Sequence, residues 1–292
     1  MNPVQKKETV LVTRENTNLL PFLLQNLKGK NRNNIKSLLR YKQVWVDGKA
    51  VSKFNYALQP GQHVIIKQER SQKEILDRYF QIVFEDEHLV VIDKKAGLLS
   101  ISAGHEHTTA YSLLSAYLKE KNPLNKIFIV HRLDRDTSGL MIFAKSEAVQ
   151  GILQRSWQSS IRERTYIALV EGIVEKQDGI IRSYLNENKA FVVHSSQDPA
   201  KGDLAITHFK TMKRGKDYSL LEVNLETGKK NQIRVHMQDI GHSVSGDKKY
   251  GAKGNPLNRL GLHASVLAFL HPVTGQPLRF ESQIPAKFLW VF

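Results

Sequence analysis

A charged nine-residue segment, 131–139, lies between two short apolar runs, 127–130 and 140–144, and this arrangement constrains the fold most. Apolar runs of this length that end in polar turn residues are typical of buried β-strands. Charged side chains are costly to hold near a core unless they are paired. The segment is therefore either a loop whose charges neutralise one another or a site that a rigid sheet displays.

Strand-like segments recur as hairpins through the rest of the chain. Residues 82–93 form two such segments around an acidic turn, 164–172 is rich in β-formers, and 219–225 alternates in polarity. Helical spacing is limited to a few segments, among them 110–119 and a helix that begins at Asn231. The pattern predicts an α+β fold with a mixed, largely antiparallel sheet.

The first 70 residues are the most basic part of the chain, with 13 Lys or Arg against 4 Asp or Glu. They predict two short helices, a hairpin with a type I′ turn at Asp47-Gly48, and a further strand. Arg32, Lys36 and Arg40 recur every four residues and share a helix face. Such a face either tracks a phosphate backbone or is simply solvated. We predict a domain that binds a phosphate backbone at 1–70, a linker at 71–79 and a main domain at 80–292.

Charge and composition narrow the class of function. The chain has 292 residues and a net charge of +15, which favours a polyanionic partner. It has no cysteine, which excludes disulfides and thiolate zinc sites. The polar N-terminus shows no secretory signal, and no apolar segment is long enough to span a bilayer. We therefore expect a soluble, cytoplasmic protein without a membrane partner.

The sequence lacks the motifs of several common functional sites. Neither the phosphate-binding P-loop nor the dinucleotide fingerprint is present, and Thr137-Ser138-Gly139 is not a nucleophile elbow. His105-Glu106-His107 has no third ligand at a suitable spacing, so no metal site is predicted. The carboxylates of 131–139 are therefore the remaining candidates for catalysis. An arginine beside such a carboxylate favours its ionised form, and Arg234, in the other dense polar cluster, is the candidate partner.

Five ordered motifs carry a family resemblance. They are His-Arg-Leu-Asp-x-x-Thr-Ser-Gly at 131–139, Arg-x-Tyr-x-Ala-x-Val-x-Gly at 164–172, Thr-Gly-x-x-x-Gln-Ile-Arg-Val-His at 227–236, Gly-Asp-x-x-Tyr-Gly at 246–251 and Leu-His-Ala at 262–264. Over about 80–290 the chain resembles the RluA family of RNA pseudouridine synthases. Residues 11–68 resemble the αL RNA-binding module that a small-subunit ribosomal protein shares with several RNA-modifying enzymes.

The resemblance implies isomerisation of uridine in RNA without cofactor or metal. Asp134 matches the catalytic aspartate, Tyr166 the tyrosine that stacks on the base, and Arg234 the arginine that pairs with the aspartate. Arg132 would fill the space left by the extruded uridine. Further candidates for substrate contacts lie in the same motifs and on the basic helix: His131, Thr137, Gln232, Val235, Arg32, Lys36 and Arg40. The expected partner is ribosomal RNA or, alternatively, transfer RNA, and the chain is expected to act as a monomer.

Two departures and two rival functions accompany this interpretation. Lys95 stands where the family usually has proline, which predicts a looser loop, and Arg164 replaces a common lysine. A non-catalytic RNA-binding or ribosome-assembly factor would keep the fold without the activity. A glycosidase would need Asp134 and Asp136 as a pair of catalytic carboxylates. Attack by Asp134 on C1′, addition to C6 of uracil and removal of the 2′ hydrogen all remain open.

Overall fold

The structure, a computed structural model, describes residues 8–27, 29–40, 43–67, 72–102, 104 and 106–292. The chain forms two compact units, Met1–Ile75 and Leu76–Phe292. Their division falls within helix α3 (Gln72–Tyr79), so a helix occupies most of the segment that the sequence analysis assigns to a linker. No helix in the described ranges has the length and apolarity needed to cross a membrane.

The N-terminal unit combines a four-stranded antiparallel sheet with two helices. Its elements are β1 (Glu8–Val12), β2 (Thr17–Asn18), α1 (Leu19–Asn26), α2 (Arg32–Arg40), β3 (Val44–Val46), β4 (Lys49–Ala50), β5 (Ala57–Leu58) and β6 (His63–Lys67). The sheet order is β1-β6-β3-β4, and β2 pairs with β5. Asp47 and Gly48 have φ of 45° and 80°, the positive values that the predicted type I′ turn requires.

The C-terminal unit is built on an eleven-stranded sheet. Its strands are β7 (Phe80–Glu85), β8 (Leu89–Lys94), β9 (Phe128–Ile129), β10 (Ser138–Ala144), β11 (Ile161–Glu171), β12 (Asp178–Glu187), β13 (Val193–Ser196), β14 (Asp203–Arg214), β15 (Tyr218–Leu225), β16 (Leu262–Leu270) and β17 (Pro277–Glu281). The order is β13-β12-β14-β15-β11-β16-β10-β8-β7, with β17 on β16 and β9 on β10. Among the described strands only β10 and β16 pair in parallel. The predicted α+β fold with a mixed, largely antiparallel sheet is confirmed.

Helices cover both faces of the sheet around β10. They are α4 (Ala110–Lys121), α5 (Glu147–Arg155), α6 (Trp157–Ser160) and α7 (Gln232–Asp239), with short 3₁₀ helices at Pro199–Lys201, Lys248–Tyr250 and Ala286–Leu289. Met141 and Phe143 pack in the same core as α4, whereas Leu140 and Ile142 pack in the core of α5. All seven residues of β10 are buried. Burial on both faces explains why this strand is a continuous apolar run in the sequence.

Two predicted elements differ in detail from the structure. The apolar run 127–130 forms only the short, half-buried strand β9, which pairs with the far end of β10. The helix predicted over 147–158 ends at Arg155 and restarts at Trp157 as α6. Residues 130–137 therefore form a long connection between β9 and β10, and this connection holds most of the charged segment.

Candidate active site

A close backbone contact places the charged segment. Ser138 and Gly139 of β10 pair with His263 and Ala264 of β16. Gly139 has φ of 113°, and a Cβ there would lie 2.1 Å from the Ala264 carbonyl oxygen. Only glycine permits this approach, because any side chain would collide with backbone. The turn that follows Asp134 is thereby held against the middle of the sheet.

The Asp134 carboxylate meets two groups from the start of α7. Arg234 Nη1 donates to Asp134 Oδ2 at 2.9 Å, and Asn231 Nδ2 donates to the same oxygen at 2.8 Å. Asn231 adopts a left-handed conformation, with φ of 55°, at the N-cap of α7. Asparagine tolerates that conformation better than most residues. The charged segment and α7, about 100 residues apart in sequence, thus form one site.

Arg234 is held in place by a second carboxylate. Its Nε and Nη2 donate to the two oxygens of Asp247 at 2.6 and 2.8 Å, and its guanidinium lies 4.9 Å from the centre of the Tyr250 ring. Burial alone would lower the pKa of Arg234, but the hydrogen bond and charge of Asp247, followed by the charge of Asp134, raise it above its usual range. Arg234 is therefore a permanent cation whose fork geometry is fixed by Asp247.

Three of these residues were not singled out from the sequence. Asn231, Asp247 and Tyr250 all stand inside the quoted motifs, but no role was assigned to them. The signal for Asp247 was its place beside a glycine in a polar motif, and that for Asn231 was its place directly before a predicted helix. Neither position states which side chain it faces, so their contacts became visible only in the fold.

A small pocket of about 80 Å³ opens on one side of Asp134. Its lining combines one aromatic ring with apolar and polar groups: Arg132, Leu133, Asp134, Thr137, Tyr166, Leu225, Lys229, Asn231, Gln232, Ile233, Arg234 and Leu262. Burial raises the pKa of the Tyr166 phenol, which Arg164 partly offsets, so this ring is neutral at physiological pH. A planar, uncharged group fits such a lining.

A basic cleft of about 810 Å³ also has Asp134 in its lining. Seven cationic residues line it: Arg135, Lys230, Arg234, Lys248, Lys249, Arg259 and Lys287. They come from four separate segments of the chain and outnumber the three lining carboxylates, those of Asp134, Asp136 and Asp247. This excess of positive charge suits a polyanion.

Two of the substrate contacts predicted in the C-terminal unit line neither cavity. His131 Nε2 accepts a hydrogen bond from the Ile142 amide at 3.1 Å, and its ring lies 5.0 Å from that of Trp157. Burial, assisted by Arg164, lowers the pKa of His131 to about 3, so the ring is neutral. Val235 is buried in a core cluster with Tyr250. Both residues contact other parts of the protein, so we assign them a supporting role and not a contact with substrate.

The remaining predicted contacts are distributed between the two units. Arg132, Thr137 and Gln232 line the small pocket. The Gln232 side-chain oxygen accepts from Thr227 and from the Lys229 amide, both at 2.9 Å, which shapes the loop before α7. Arg32 and Lys36 are exposed on α2 of the N-terminal unit. The Arg40 side chain and His105 lie outside the described part of the chain.

The loop that departs from the family pattern is well anchored rather than loose. The Lys95 amide, which a proline would lack, donates to the Tyr79 carbonyl at 2.9 Å, and its ammonium donates to the Asp77 carbonyl at 2.7 Å. The buried Lys94 ammonium donates to the carbonyls of Leu98 and Arg135. Burial, followed by the charge of Arg259, lowers the pKa of Lys94 to about 7. The loosening expected from Lys95 is therefore not observed, because lysine supplies two donors where proline has none.

The described residues contain no cluster of three or more His, Asp or Glu side chains able to hold a metal ion. The side chains that the site brings together are a carboxylate, a fixed guanidinium, an amide and a neutral phenol. A carboxylate oriented in this way acts as a nucleophile or a base.

Comparison with known proteins agrees with this site. Residues 88–239 match the family model described as RNA pseudouridylate synthase. The chain is 35% identical to an uncharacterized RNA pseudouridine synthase of Bacillus subtilis, YlyB, over 90% of this chain and 89% of the relative. It is 32% identical to ribosomal large subunit pseudouridine synthase D of Pseudomonas aeruginosa, over 89% and 86% of the two chains.

A solved structure shares the fold. Human RNA pseudouridylate synthase domain containing 4 superposes with a TM-score of 0.60 at 21% identity and covers 74% of this chain and 92% of its own. The sequence matches extend over nearly the whole length of both partners, and the family model includes Asp134, Tyr166 and Arg234. The chain belongs to the RNA pseudouridine synthase family and isomerises uridine in RNA.

Proposed function

We propose that Asp134 carries out the isomerisation and that its substrate is ribosomal RNA. The observation that carries this proposal is the asymmetry of its hydrogen bonds. Arg234 and Asn231 both bind Oδ2, and among the described residues no hydrogen bond reaches Oδ1. One oxygen therefore anchors the carboxylate, and Asp134 lines both cavities.

The reaction rearranges bonds without net gain or loss of atoms. The N1–C1′ bond of uridine breaks, the uracil turns, C5 bonds to C1′, the C5 proton leaves and N1 gains a proton. An ionised Asp134 serves as nucleophile at C1′ or C6, or as base toward the 2′ hydrogen, and all three routes use the same free oxygen. Tyr166 holds the base through its ring face. Arg132, exposed at the pocket rim, occupies the space that the extruded nucleotide leaves.

The names of two relatives favour ribosomal over transfer RNA, and the N-terminal unit supports RNA binding in general. The relatives from Pseudomonas aeruginosa and Zymomonas mobilis are both named ribosomal large subunit pseudouridine synthase D. The N-terminal unit presents Arg32 and Lys36 on an exposed helix face, which suits a phosphate backbone. We assign this unit to RNA binding. We also propose that the enzyme is cytoplasmic and acts as a monomer.

The test compares two aspartates two residues apart. Replacement Asp134→Asn removes the charge but keeps one side-chain oxygen. It should abolish tritium release from RNA labelled at uridine C5 while leaving RNA binding intact. The matched control is Asp136→Asn, because Asp136 is exposed and lines only the cleft. Full activity of the Asp134 variant contradicts the catalytic assignment. A growth or assembly defect that this variant rescues would instead indicate a non-catalytic factor.

The RNA itself is identified by mapping. Pseudouridines in total cellular RNA are compared between cells with and without the gene, and between cells that carry wild type or Asp134→Asn. Loss of a site in ribosomal RNA in both deficient strains supports the substrate assignment. Loss confined to transfer RNA overturns it and leaves the catalytic role of Asp134 unaffected.

A further inference from the structure

Phe191 is an exposed aromatic residue with an unusual backbone. It lies in the loop between β12 and β13, its side chain is 71% exposed, and its φ is 59°. A left-handed conformation is rare for a bulky side chain, and such residues cluster at functional sites. Neither the catalytic residues nor the protein core accounts for this ring.

The loop that carries Phe191 is rigidly built. The Asn188 side-chain oxygen accepts from the amides of Ala190 and Val192 at 2.9 and 3.0 Å, and the Phe191 amide donates to the Asn188 carbonyl at 2.9 Å. Lys249 Nζ donates to the Phe191 carbonyl at 2.6 Å. These bonds hold the backbone from which the ring projects.

The ring stands at the rim of the basic cleft. Lys230 Nζ lies 5.6 Å from the centre of the Phe191 ring, and both Lys230 and Lys249 line the cleft. Two residues beyond Phe191, the Val193 amide donates to the Tyr250 hydroxyl at 3.2 Å. Tyr250 is the ring against which Arg234 packs. Lys230 also directly precedes Asn231, which binds Asp134, so the loop is tied to the catalytic cluster on two sides.

We propose that Phe191 is a stacking platform for a nucleobase of the RNA strand that flanks the target uridine. The Lys230 ammonium lies over the Phe191 ring and also pairs with Glu187, and the Lys249 ammonium binds the Phe191 carbonyl. This arrangement suits a nucleotide, because a base stacks on the exposed ring while the neighbouring phosphates contact Lys249 and compete with Glu187 for Lys230. Stacking of this kind tolerates any base, since each base has a π-face. The ring therefore provides affinity and register along the strand without reading its sequence. This role rests on the proposed function only in requiring an RNA substrate.

Direct binding tests the proposal. Fluorescence anisotropy is measured with a fluorescein-labelled twelve-nucleotide single-stranded RNA and with a strand of the same length made of abasic ribose phosphates. Phe191→Ala and Phe191→Gly should weaken binding of the first strand about 5- to 100-fold, whereas Phe191→Trp should stay within about 2-fold of wild type. None should change binding of the abasic strand. Phe191→Gly also removes the backbone strain, so it separates loss of the ring from collapse of the loop.

Leu124→Ala is the matched control, since Leu124 is 84% exposed and lines neither cavity. Unchanged binding in the Phe191→Ala and Phe191→Gly variants overturns the proposal, and so does an equal loss on both strands. All proteins are measured in the Asp134→Asn background as well. Binding is observed there without turnover, so failure of the catalytic assignment leaves this result unaffected.

Discussion

The two cavities that meet at Asp134 are built in different ways. The small pocket is about a tenth the volume of the basic cleft, and a neutral tyrosine, apolar side chains and hydrogen-bonding groups line it together with four charged residues, Arg132, Asp134, Lys229 and Arg234. The cleft is open and dominated by lysine and arginine from distant segments. The lining of the pocket suits a nucleobase, and the lining of the cleft suits a phosphate backbone. The comparison leads to the hypothesis that residues lining only the pocket affect turnover and that residues lining only the cleft affect affinity.

The start of α7 serves both cavities. Lys229 and Gln232 line the pocket, Lys230 lines the cleft, and Asn231 and Arg234 line both. Side chains at successive positions of a tight turn point in different directions, so one short segment supplies both surfaces. Changes in this segment should therefore affect turnover and affinity together, whereas changes elsewhere should separate them.

The largest effect is expected at Arg234, which belongs to both cavities. Arg234→Gln should lower kcat about 100- to 1000-fold, the cost of losing one charge-stabilising donor. It should also destabilise the fold by about 3 kcal/mol, because Asp247, with 1% of its side chain exposed, is left as an unpaired buried charge. The measurements are tritium release and urea unfolding.

The double variant Arg234→Gln with Asp247→Asn separates these two effects. It should recover most of the stability, since no charge remains buried, but none of the activity. Recovery of activity along with stability would show that Arg234 has only a structural role.

Replacing Tyr166 tests the pocket alone. Tyr166→Leu should reduce turnover about 5- to 100-fold, the range expected for one lost stacking contact, with little change in RNA affinity. Tyr166→Phe keeps the ring and should retain activity within about 10-fold. A loss of RNA affinity larger than the loss of kcat would mean that the pocket also contributes to binding.

Acid should lower the unfolding free energy through His236, which lies on α7. His236 is fully buried between Thr207 and Ser183, and burial lowers its pKa to about 4. The unfolded chain binds a proton at pH 5 that the folded chain excludes, so stability falls as pH drops below about 6.5. This histidine should account for about 2 kcal/mol of the loss in unfolding free energy between pH 7 and pH 5. His236→Gln should reduce the loss by that amount in urea titrations, and an identical pH slope would contradict it.

The smallest effect is expected in the cleft, where many charges share the work. The double variant Lys248→Ala with Lys287→Ala should raise KM about 10-fold at low salt and leave kcat unchanged. The slope of log affinity against log salt should fall by about 1.4, the value for two lost phosphate contacts on a single strand. Lys119→Ala with Lys216→Ala is the control, because these exposed lysines line neither cavity. A drop in kcat without a change in KM would abolish the distinction between pocket and cleft.

Local patterns were enough to predict much of this protein. The alternation in 219–225, the β-formers of 164–172 and the apolar run 140–144 identify strands that the structure contains. Asp47-Gly48 correctly predicts a tight hairpin, because the turn requires positive φ at both positions. The boundaries of α5 and the extent of β9 were less accurate, since ends of elements depend on packing against neighbours.

The candidate site divides in the same way. Asp134, Tyr166 and Arg234 were predicted by family resemblance, and the charge of the N-terminal region is visible in the composition. The sequence did not predict the bidentate contact of Arg234 with Asp247 or the supporting role of His131. Both depend on which faces of distant segments meet. The basic stripe on α2 is periodic and could be predicted, whereas the lysines of the cleft have no periodicity.

The amino-acid sequence by itself therefore determined the fold class, the chemistry of the charged segment and the preference for a polyanion, since these follow from periodicity, residue type and net charge. Only the tertiary structure decided that Asn231 and Arg234 share one oxygen of Asp134 and that two unlike cavities meet there. The physical reason is distance along the chain. Gly139 brings β10 against β16 and α7 brings residues from about 100 positions away, and contacts of that range are set by packing rather than by local pattern.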